Sequence, residues 1–128
     1  MAWQIEYFEL ESGNQPAEDF EDSISQGLRA KLLRFAEEIA DKEGAIGGGI
    51  WKPCRDHPGL WAVRVIAGGD LGRYYSAVDG SRMILLHGHK KRPGQATPAA
   101  VYRLADRYLQ DYVNHHRVSP EQPEEEER

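Results

Sequence analysis

The chain has 128 residues and a net charge of −5, and its content of 40% hydrophobic and 29% charged residues excludes a fibrous or wholly disordered protein. Its only cysteine, Cys54, excludes an intramolecular disulfide and a zinc cluster built on cysteines. The sequence contains neither a signal-peptide pattern nor a long apolar stretch, so we expect a cytoplasmic protein without membrane contact.

The first third of the chain predicts one strand and two helices. Apolar and polar residues alternate in WQIEYFEL, residues 3–10, which is typical of a strand with one solvated face. Pro16 suits the first turn of a short helix over about residues 16–24. Apolar residues then recur at helical spacing from Leu28 until Gly44, which predicts a second helix and hence a helical hairpin.

The second half of the chain predicts three strands and a helix. The strands cover residues 60–66, 72–78 and 82–88, and the glycine-containing turns between them suit hairpins. Thr97 suits the N-cap of a final helix that has Pro98 at its first position.

The predicted element order is β-α-α-β-β-β-α. Tight turns make the last three strands antiparallel neighbours, and the helical hairpin must cover one face of the sheet. We therefore predict an α+β fold with a mostly antiparallel sheet, in a single domain over residues 1–117. Residues 118–128 are predicted to be a disordered acidic tail, because they contain almost no apolar side chains to bury.

The charge is distributed unevenly along the chain. Residues 1–51 contain 11 acidic and 4 basic residues, whereas residues 52–107 contain 10 basic and 4 acidic residues. The middle of the protein is therefore basic although the whole is acidic. This asymmetry indicates an anionic ligand for that part without identifying the ligand.

Two arginines lie on neighbouring predicted strands. Arg64 projects from the middle of one strand and Arg73 begins the next, so the hairpin between them brings the two side chains close. Two guanidinium groups repel each other unless an anion or a carboxylate lies between them, which favours a phosphate site. A solvated strand face for Arg64, or an ion pair with Asp70, would explain the arginines without any function.

A histidine pair and three cations end the last predicted strand. His87 and His89 are two residues apart, so their side chains point the same way. This spacing is compatible with a packed or surface pair, with a general acid or base, or with two metal ligands. No motif supplies a third ligand, and we expect no metal and no cofactor. Lys90, Lys91 and Arg92 form either a solvated charge run or the edge of an anion site.

Tyr74 and Tyr75 point to opposite faces of their strand. We expect one of them to be buried and the other exposed, and an exposed tyrosine beside arginines can stack on a nucleobase. Alternation alone does not decide which of the two is outside.

Two long segments, GLWAVRV and GRYYSAVDGSRMILLHGHKKRPGQATPAAVYRLADRYLQDY, resemble the toxin subunits of type II toxin–antitoxin systems. The likeness is to the RelE/ParE superfamily, in particular its phage-derived HigB-like branch. The family pattern has an LyELRi strand, a yRvfY strand, a vlLhgF.KK strand with a basic exit, and a helix opened by tP. The resemblance covers about residues 3–113 and depends on the order and spacing of these motifs.

The resemblance implies a small RelE-like fold and assigns residues by position. It places the family's strand arginines at Arg64 and Arg73 and its paired lysines at Lys90 and Lys91. His89 stands where the family usually has an apolar aromatic residue, which would add a proton-transfer group.

The activity implied by the resemblance is ribosome-dependent cleavage of messenger RNA, which inhibits translation. Arg64 and Arg73 would neutralise the phosphate, while a lysine or histidine of residues 87–91 would transfer the proton. One of the two adjacent tyrosines would position a base, and Arg92 is a further candidate RNA contact. Two alternatives remain open: a gyrase-inhibiting toxin of the ParE kind, and a noncatalytic module that binds RNA or an acidic protein.

The resemblance also implies a protein partner. A toxin of this kind is held in check by a cognate helix-turn-helix antitoxin, and we expect contact with DNA only indirectly, through that antitoxin. The other expected partner is messenger RNA on the ribosome.

Overall fold

The computed structural model describes residues 2–116, which form one five-stranded sheet and three helices. The elements in chain order are β1 (Gln4–Tyr7), α1 (Pro16–Asp22), α2 (Gln26–Asp41), β2 (Trp51–Pro53), β3 (Trp61–Ala67), β4 (Asp70–Asp79), β5 (Arg82–Lys91) and α3 (Ala99–His116). The predicted acidic tail at 118–128 lies outside the described residues. Within the described part of the chain, none of the helices is long and apolar enough to cross a lipid bilayer.

The sheet is mixed, with strand order β1-β5-β4-β3-β2. The three strands predicted as antiparallel neighbours are β3, β4 and β5, and they pair in that way. Strand β1 pairs in parallel with β5. Helices α1 and α2 carry the chain from β1, at one edge of the sheet, to β2 at the other edge. The α+β class and the mostly antiparallel sheet are therefore confirmed.

The predicted element order is wrong at one point, because a short strand precedes β3. Strand β2 pairs antiparallel with β3, and Trp51 packs in parallel on Trp61 with ring centroids 5.0 Å apart. Three residues ending in Pro53 contain no alternation, and proline argues against a strand. Strand β2 therefore depends on its pairing with β3 and on the tryptophan contact, neither of which is local in sequence.

Local signals set several helix ends. Pro16 occupies the first turn of α1, and the Ser25 hydroxyl accepts a hydrogen bond from the Leu28 N–H at 3.2 Å to cap α2. Helix α3 begins at Ala99, one residue later than predicted, and the hydroxyl of Thr97 accepts a hydrogen bond from Arg73. Thr97 thus connects the start of α3 to β4.

Helices cover both faces of the sheet, although one face is covered only in part. Helices α1 and α2 pack on the face that carries Val63, Val65 and Tyr74. Helix α3 packs on the opposite face, against a cluster that includes Leu60 and Ala62. The residues further along β3 on that second face are left outside the cluster, and Ile66 is 42% exposed. This uncovered end of the sheet, beside the beginning of α3, is where the candidate site lies.

A β-bulge in β5 sets which side chains reach the uncovered end. Ser76 is opposite Leu85, whereas Tyr75 is opposite His87, so Leu86 has no partner of its own in β4. Leu86 nevertheless packs in the α3 cluster, on the same face as Tyr75. The extra residue therefore lets β5 bury Leu86 under α3 and still aim His87 at the same face.

A buried carboxylate holds α1 to the sheet. Glu21 is 3% exposed, and it accepts hydrogen bonds of 2.5 Å from the hydroxyls of Tyr7 and Tyr74. Burial, followed by the bonds to Glu21, raises the pKa of both tyrosines, so both hydroxyls remain donors at any physiological pH.

Candidate functional site

A row of three basic side chains crosses the sheet at its uncovered end. Arg64 on β3 is directly opposite Arg73 on β4, and Arg73 is directly opposite His89 on β5. Directly opposed residues on neighbouring strands have Cβ atoms about 5 Å apart and share one face. The two arginines predicted to converge are therefore neighbours, with an imidazole next in line.

The adjacent rows add one cation and one imidazole to the same face. Lys91 is opposite Leu71, at the next position on this face beyond His89. His87 is opposite Tyr75, at the position on this face before His89. The ammonium group of Lys91 donates to the Gln95 carbonyl at 2.5 Å, across the turn that follows β5. We call the five residues Arg64, Arg73, His87, His89 and Lys91 the basic cluster.

Lys90 and Arg92 lie outside the basic cluster. Lys90 is opposite Gly72, whose Cα faces Leu28 and Leu32 of α2, so its side chain is on the other face of the sheet. There its ammonium group is 4.0 Å from an oxygen of Asp70. Because β5 continues to Lys91, alternation separates the two adjacent lysines, and the paired placement implied by the resemblance is not found. Arg92 is exposed in the turn after β5.

Arg73 is the central residue of the cluster, and it has no counter-ion among residues 2–116. Its Nη1 donates to the Thr97 hydroxyl at 2.8 Å and lies 3.4 Å from the Tyr102 hydroxyl. Its Nε is buried and forms no hydrogen bond within the described chain. Asp70, the predicted alternative partner, is near Lys90 instead. A partly buried guanidinium held only by neutral hydroxyls has donors and charge left for an anion.

The tyrosine prediction is wrong, because Tyr74 and Tyr75 are both 0% exposed. They do point to opposite faces, but helices cover both faces at this position, so alternation exposes neither side chain. Tyr74 binds Glu21 under α1, and Tyr75 lies below Tyr102 with ring centroids 5.5 Å apart. In this arrangement neither ring is free to stack on a base. Burial raises the pKa of Tyr75 to about 12.

The environment keeps both imidazoles of the cluster neutral at pH 7. Burial, with a smaller repulsion from His89, lowers the pKa of His87 to about 4. Burial and the charges of Lys91 and Arg73 lower the pKa of His89. Burial and the two arginines also lower the pKa of Lys91. Neutral imidazole beside fixed cations can accept a proton, and Lys91 gives up its proton more readily than an ordinary lysine does.

A cleft of about 520 Å³ opens beside the cluster, between α1 and α3. His87 and His89 form part of its wall, and Phe20 and Tyr108 contribute aromatic surface. Its volume is within the usual range for small-molecule sites. The Nδ1 atom of His87 is buried without a hydrogen-bond partner in the described chain. The cleft thus extends the cluster around the edge of β5.

Sequence reasoning missed several residues around Arg73. Thr97 and Tyr102 bind its guanidinium, and a further histidine, His57, hydrogen-bonds Asp106 at 2.6 Å nearby. His57 and Asp106 are 49 residues apart, so no local spacing connects them. A threonine before a helix and a tyrosine within one also have ordinary structural explanations. The chain contains no local signal that would have identified this group.

Comparison with known proteins adds no family. No protein-family model matches the chain, and no curated protein matches it. Within residues 2–116, no three histidine, cysteine, aspartate or glutamate side chains come together in a way that would hold a metal ion.

Acid should destabilise the fold through His87. Because its pKa is lower in the folded chain than the ordinary value near 6.5, the unfolded chain takes up the proton first as the pH falls. Between about pH 6.5 and about pH 4 we expect wild type to lose about 1–2 kcal/mol of unfolding free energy relative to His87→Gln, after allowance for partial solvent access. Urea denaturation of both proteins across this range measures the difference. A difference that stays constant with pH would contradict the assignment.

Proposed function

We propose that the chain is the toxin component of a type II toxin–antitoxin system, a RelE/HigB-like endoribonuclease that cleaves messenger RNA on the ribosome. The observation that supports this most is Arg73, a partly buried cation without a carboxylate partner in the described chain, set between Arg64 and His89. Uncompensated charge inside a protein is costly, and an anionic substrate would offset that cost. A phosphodiester fits the two arginines because guanidinium groups bind phosphate oxygens in pairs.

The cluster supplies the groups that cleavage of RNA at a 2′-hydroxyl needs. Neutral His89 accepts the proton of the attacking 2′-hydroxyl, since its lowered pKa leaves it unprotonated at pH 7. Arg64 and Arg73 stabilise the added negative charge of the pentacoordinate phosphate. Lys91, on the same face one row away, adds positive charge at the phosphate. The proposed reaction uses these side chains and no metal.

The start of α3 adds to the attraction for phosphate. Thr97 precedes the helix and binds Arg73, so the positive end of the helix dipole lies beside the guanidinium. The adjoining cleft gives room for a nucleotide next to the scissile one. Because Tyr75 is buried, the proposed stacking role moves from β4 to Tyr108 of α3, a half-buried side chain that lines the cleft.

The proposal can be tested on purified ribosomes programmed with a defined message. Wild-type protein should cleave the message, and Arg64→Gln should cleave about 100-fold more slowly because one of the two guanidiniums at the phosphate is lost. Arg34→Gln, at an exposed position of α2, is the control for general loss of positive charge. Induction in cells followed by mapping of message 5′ ends gives the same comparison in vivo. DNA damage without message cleavage would instead indicate gyrase as the target, and ribosome binding without cleavage would indicate a noncatalytic module.

The two adjacent lysines provide a second test of the proposed site. Lys91→Ala should lose about 100-fold in cleavage rate, because Lys91 lies on the face of the two arginines. Lys90→Ala should lose less than about tenfold, because that side chain lines the adjoining cleft on the opposite face and does not face the two arginines at the phosphate. Single-turnover rates on programmed ribosomes give both values. Equal losses would contradict the division of the two residues between the faces.

The proposed partner is a helix-turn-helix antitoxin. Its inhibitory segment would cover the basic cluster, and its charge should complement the two arginines and Lys91. Contact of the pair with DNA would then come from the antitoxin.

A further inference from the structure

A histidine and a carboxylate outside the basic cluster form a dyad of their own. His57 lies in the loop that joins β2 to β3, and its Nδ1 is 2.6 Å from an oxygen of Asp106 on α3. A carboxylate can only accept, so Nδ1 carries the hydrogen and donates it. The contact therefore leaves Nε2 as the atom available for proton transfer. The two side chains are 26% and 41% exposed, so water and substrate can reach them.

A tyrosine connects this dyad to the phosphate site. The imidazole of His57 stacks on the ring of Tyr102, with centroids 4.6 Å apart and planes 7° from parallel. The hydroxyl of the same tyrosine is 3.4 Å from Nη1 of Arg73. The stack and the bond to Asp106 fix both the plane and the tautomer of the imidazole. Such double restraint is typical of catalytic histidines, whose orientation is set by a carboxylate.

The two histidines come from opposite flanks of β4, the strand that carries Arg73. His89 comes from β5, on one flank of β4, whereas His57 comes from the loop between β2 and β3, on the other flank. In cleavage by a 2′-hydroxyl, the attacking oxygen and the leaving 5′-oxygen are on opposite sides of the phosphorus atom. A base and an acid placed on opposite flanks of the phosphate-binding residue match that requirement.

We propose that His57, oriented by Asp106, is the general acid of the cleavage reaction. This inference rests on the proposed function. His89 takes the proton from the 2′-hydroxyl as the 2′-oxygen bonds to phosphorus. The bond between phosphorus and the 5′-oxygen breaks, and the leaving oxygen takes the Nε2 proton of protonated His57. The products are a 2′,3′-cyclic phosphate and a 5′-hydroxyl end. His89 has gained one proton and His57 has lost one, and exchange with water restores both.

The same contacts could serve only to fasten the loop to α3, so the test must separate the two roles. A general acid is needed only when the leaving oxygen must be protonated. A message with sulfur in place of the 5′-oxygen at the cleavage site has a leaving thiolate that departs without a proton. Loss of an acid is therefore rescued by the sulfur linkage, whereas loss of a structural contact or of a base is not.

The experiment compares five proteins on two messages bound to purified ribosomes. On the ordinary message, His57→Gln should be about 10²- to 10⁴-fold slower than wild type, and Asp106→Asn should be slower for the same reason. On the sulfur-substituted message, both variants should cleave within about tenfold of wild type. His89→Gln should be slow on both messages, because it lacks the base. The control for a charge change on α3 is Asp111→Asn. Asp111 is exposed and follows Asp106 on the same helix, less than two turns further along.

Each outcome decides the inference. If His57→Gln cleaves the ordinary message as fast as wild type, or is equally slow on both messages, His57 is not the general acid. Either result would leave the proposed nuclease function standing, because wild type and the His89 variant measure that function independently. If wild type cleaves neither message, the proposed function fails and this inference fails with it.

Discussion

Arg73→Met is expected to abolish message cleavage without weakening the fold. The variant removes the charge that holds the phosphate, and we expect the single-turnover rate on programmed ribosomes to fall by about 10³-fold or more. Stability should stay constant or rise by about 1 kcal/mol, because the arginine is partly buried, has an unpartnered Nε and lacks a carboxylate in the described chain. Denaturation in urea measures the second effect.

Arg82→Met is the matched control for this variant. Arg82 lies on β5, with Nη2 2.7 Å from an oxygen of Asp79 and Nη1 3.6 Å from an oxygen of Glu6. We expect its loss to cost about 1–2 kcal/mol of stability, because Asp79 keeps only the Tyr112 hydroxyl as a partner, and to leave cleavage unchanged. Arg73→Met should therefore lose cleavage and keep its stability, whereas Arg82→Met should lose stability and keep cleavage. A large loss of stability in Arg73→Met, with activity retained, would remove the main support for a phosphate site.

Gly88→Ala is expected to have the largest effect on stability. A methyl group at this position would lie 2.0 Å from Cδ2 of Phe20, and the ring of Phe20 is packed between α1 and the sheet. The ring cannot rotate away from a contact that close at its base, so α1 must move. We expect a loss of about 3 kcal/mol or more, measured by urea denaturation. His87 and His89 flank this glycine, so cleavage should fall as well.

The partner in this contact supplies the control. In a Phe20→Ala background the added methyl group finds space, and Gly88→Ala should then cost less than about 1 kcal/mol. Gly27→Ala tests the same substitution where no atom lies within 4 Å, in the first turn of α2, and it should stabilise by about 0.5–1 kcal/mol. A cost below about 1 kcal/mol for Gly88→Ala in the wild-type background would show that α1 is not held against β5 as described.

The hydrogen bonds of the buried polar groups explain why substitutions in the basic cluster are expected to reduce cleavage more than stability. Two buried carboxylates, Glu21 of α1 and Asp79 of β4, both accept hydrogen bonds from tyrosine hydroxyls. Three buried side-chain atoms lack a hydrogen-bond partner in the described chain, and they are Nε of Arg73, Nδ1 of His87 and the hydroxyl oxygen of Ser76. Two of the three belong to the basic cluster, and unsatisfied polar groups that gather at one place indicate a binding site.

The sequence by itself determined the features that depend on neighbours along the chain. Hairpin turns and amphipathic spacing predicted α1, α2, α3 and the three central strands, and strand alternation placed His87 and His89 on one face. The convergence of Arg64 and Arg73 followed from the short hairpin between their strands. These predictions succeed because turn geometry and the two-residue repeat of a strand are local properties.

Only the tertiary structure decided the rest. Both Tyr74 and Tyr75 are buried because helices distant in sequence cover both faces of β4. Lys90 and Lys91 are separated because β4 begins at Asp70 and so gives β5 hydrogen-bond partners out to Lys91, beyond the predicted end of the strand. Strand β2 and the contact of His57 with Asp106 join segments whose own sequences carry no signal for either. In each case the deciding interaction links residues far apart in the chain. A sequence pattern reports only the interactions between residues that are close together in the chain.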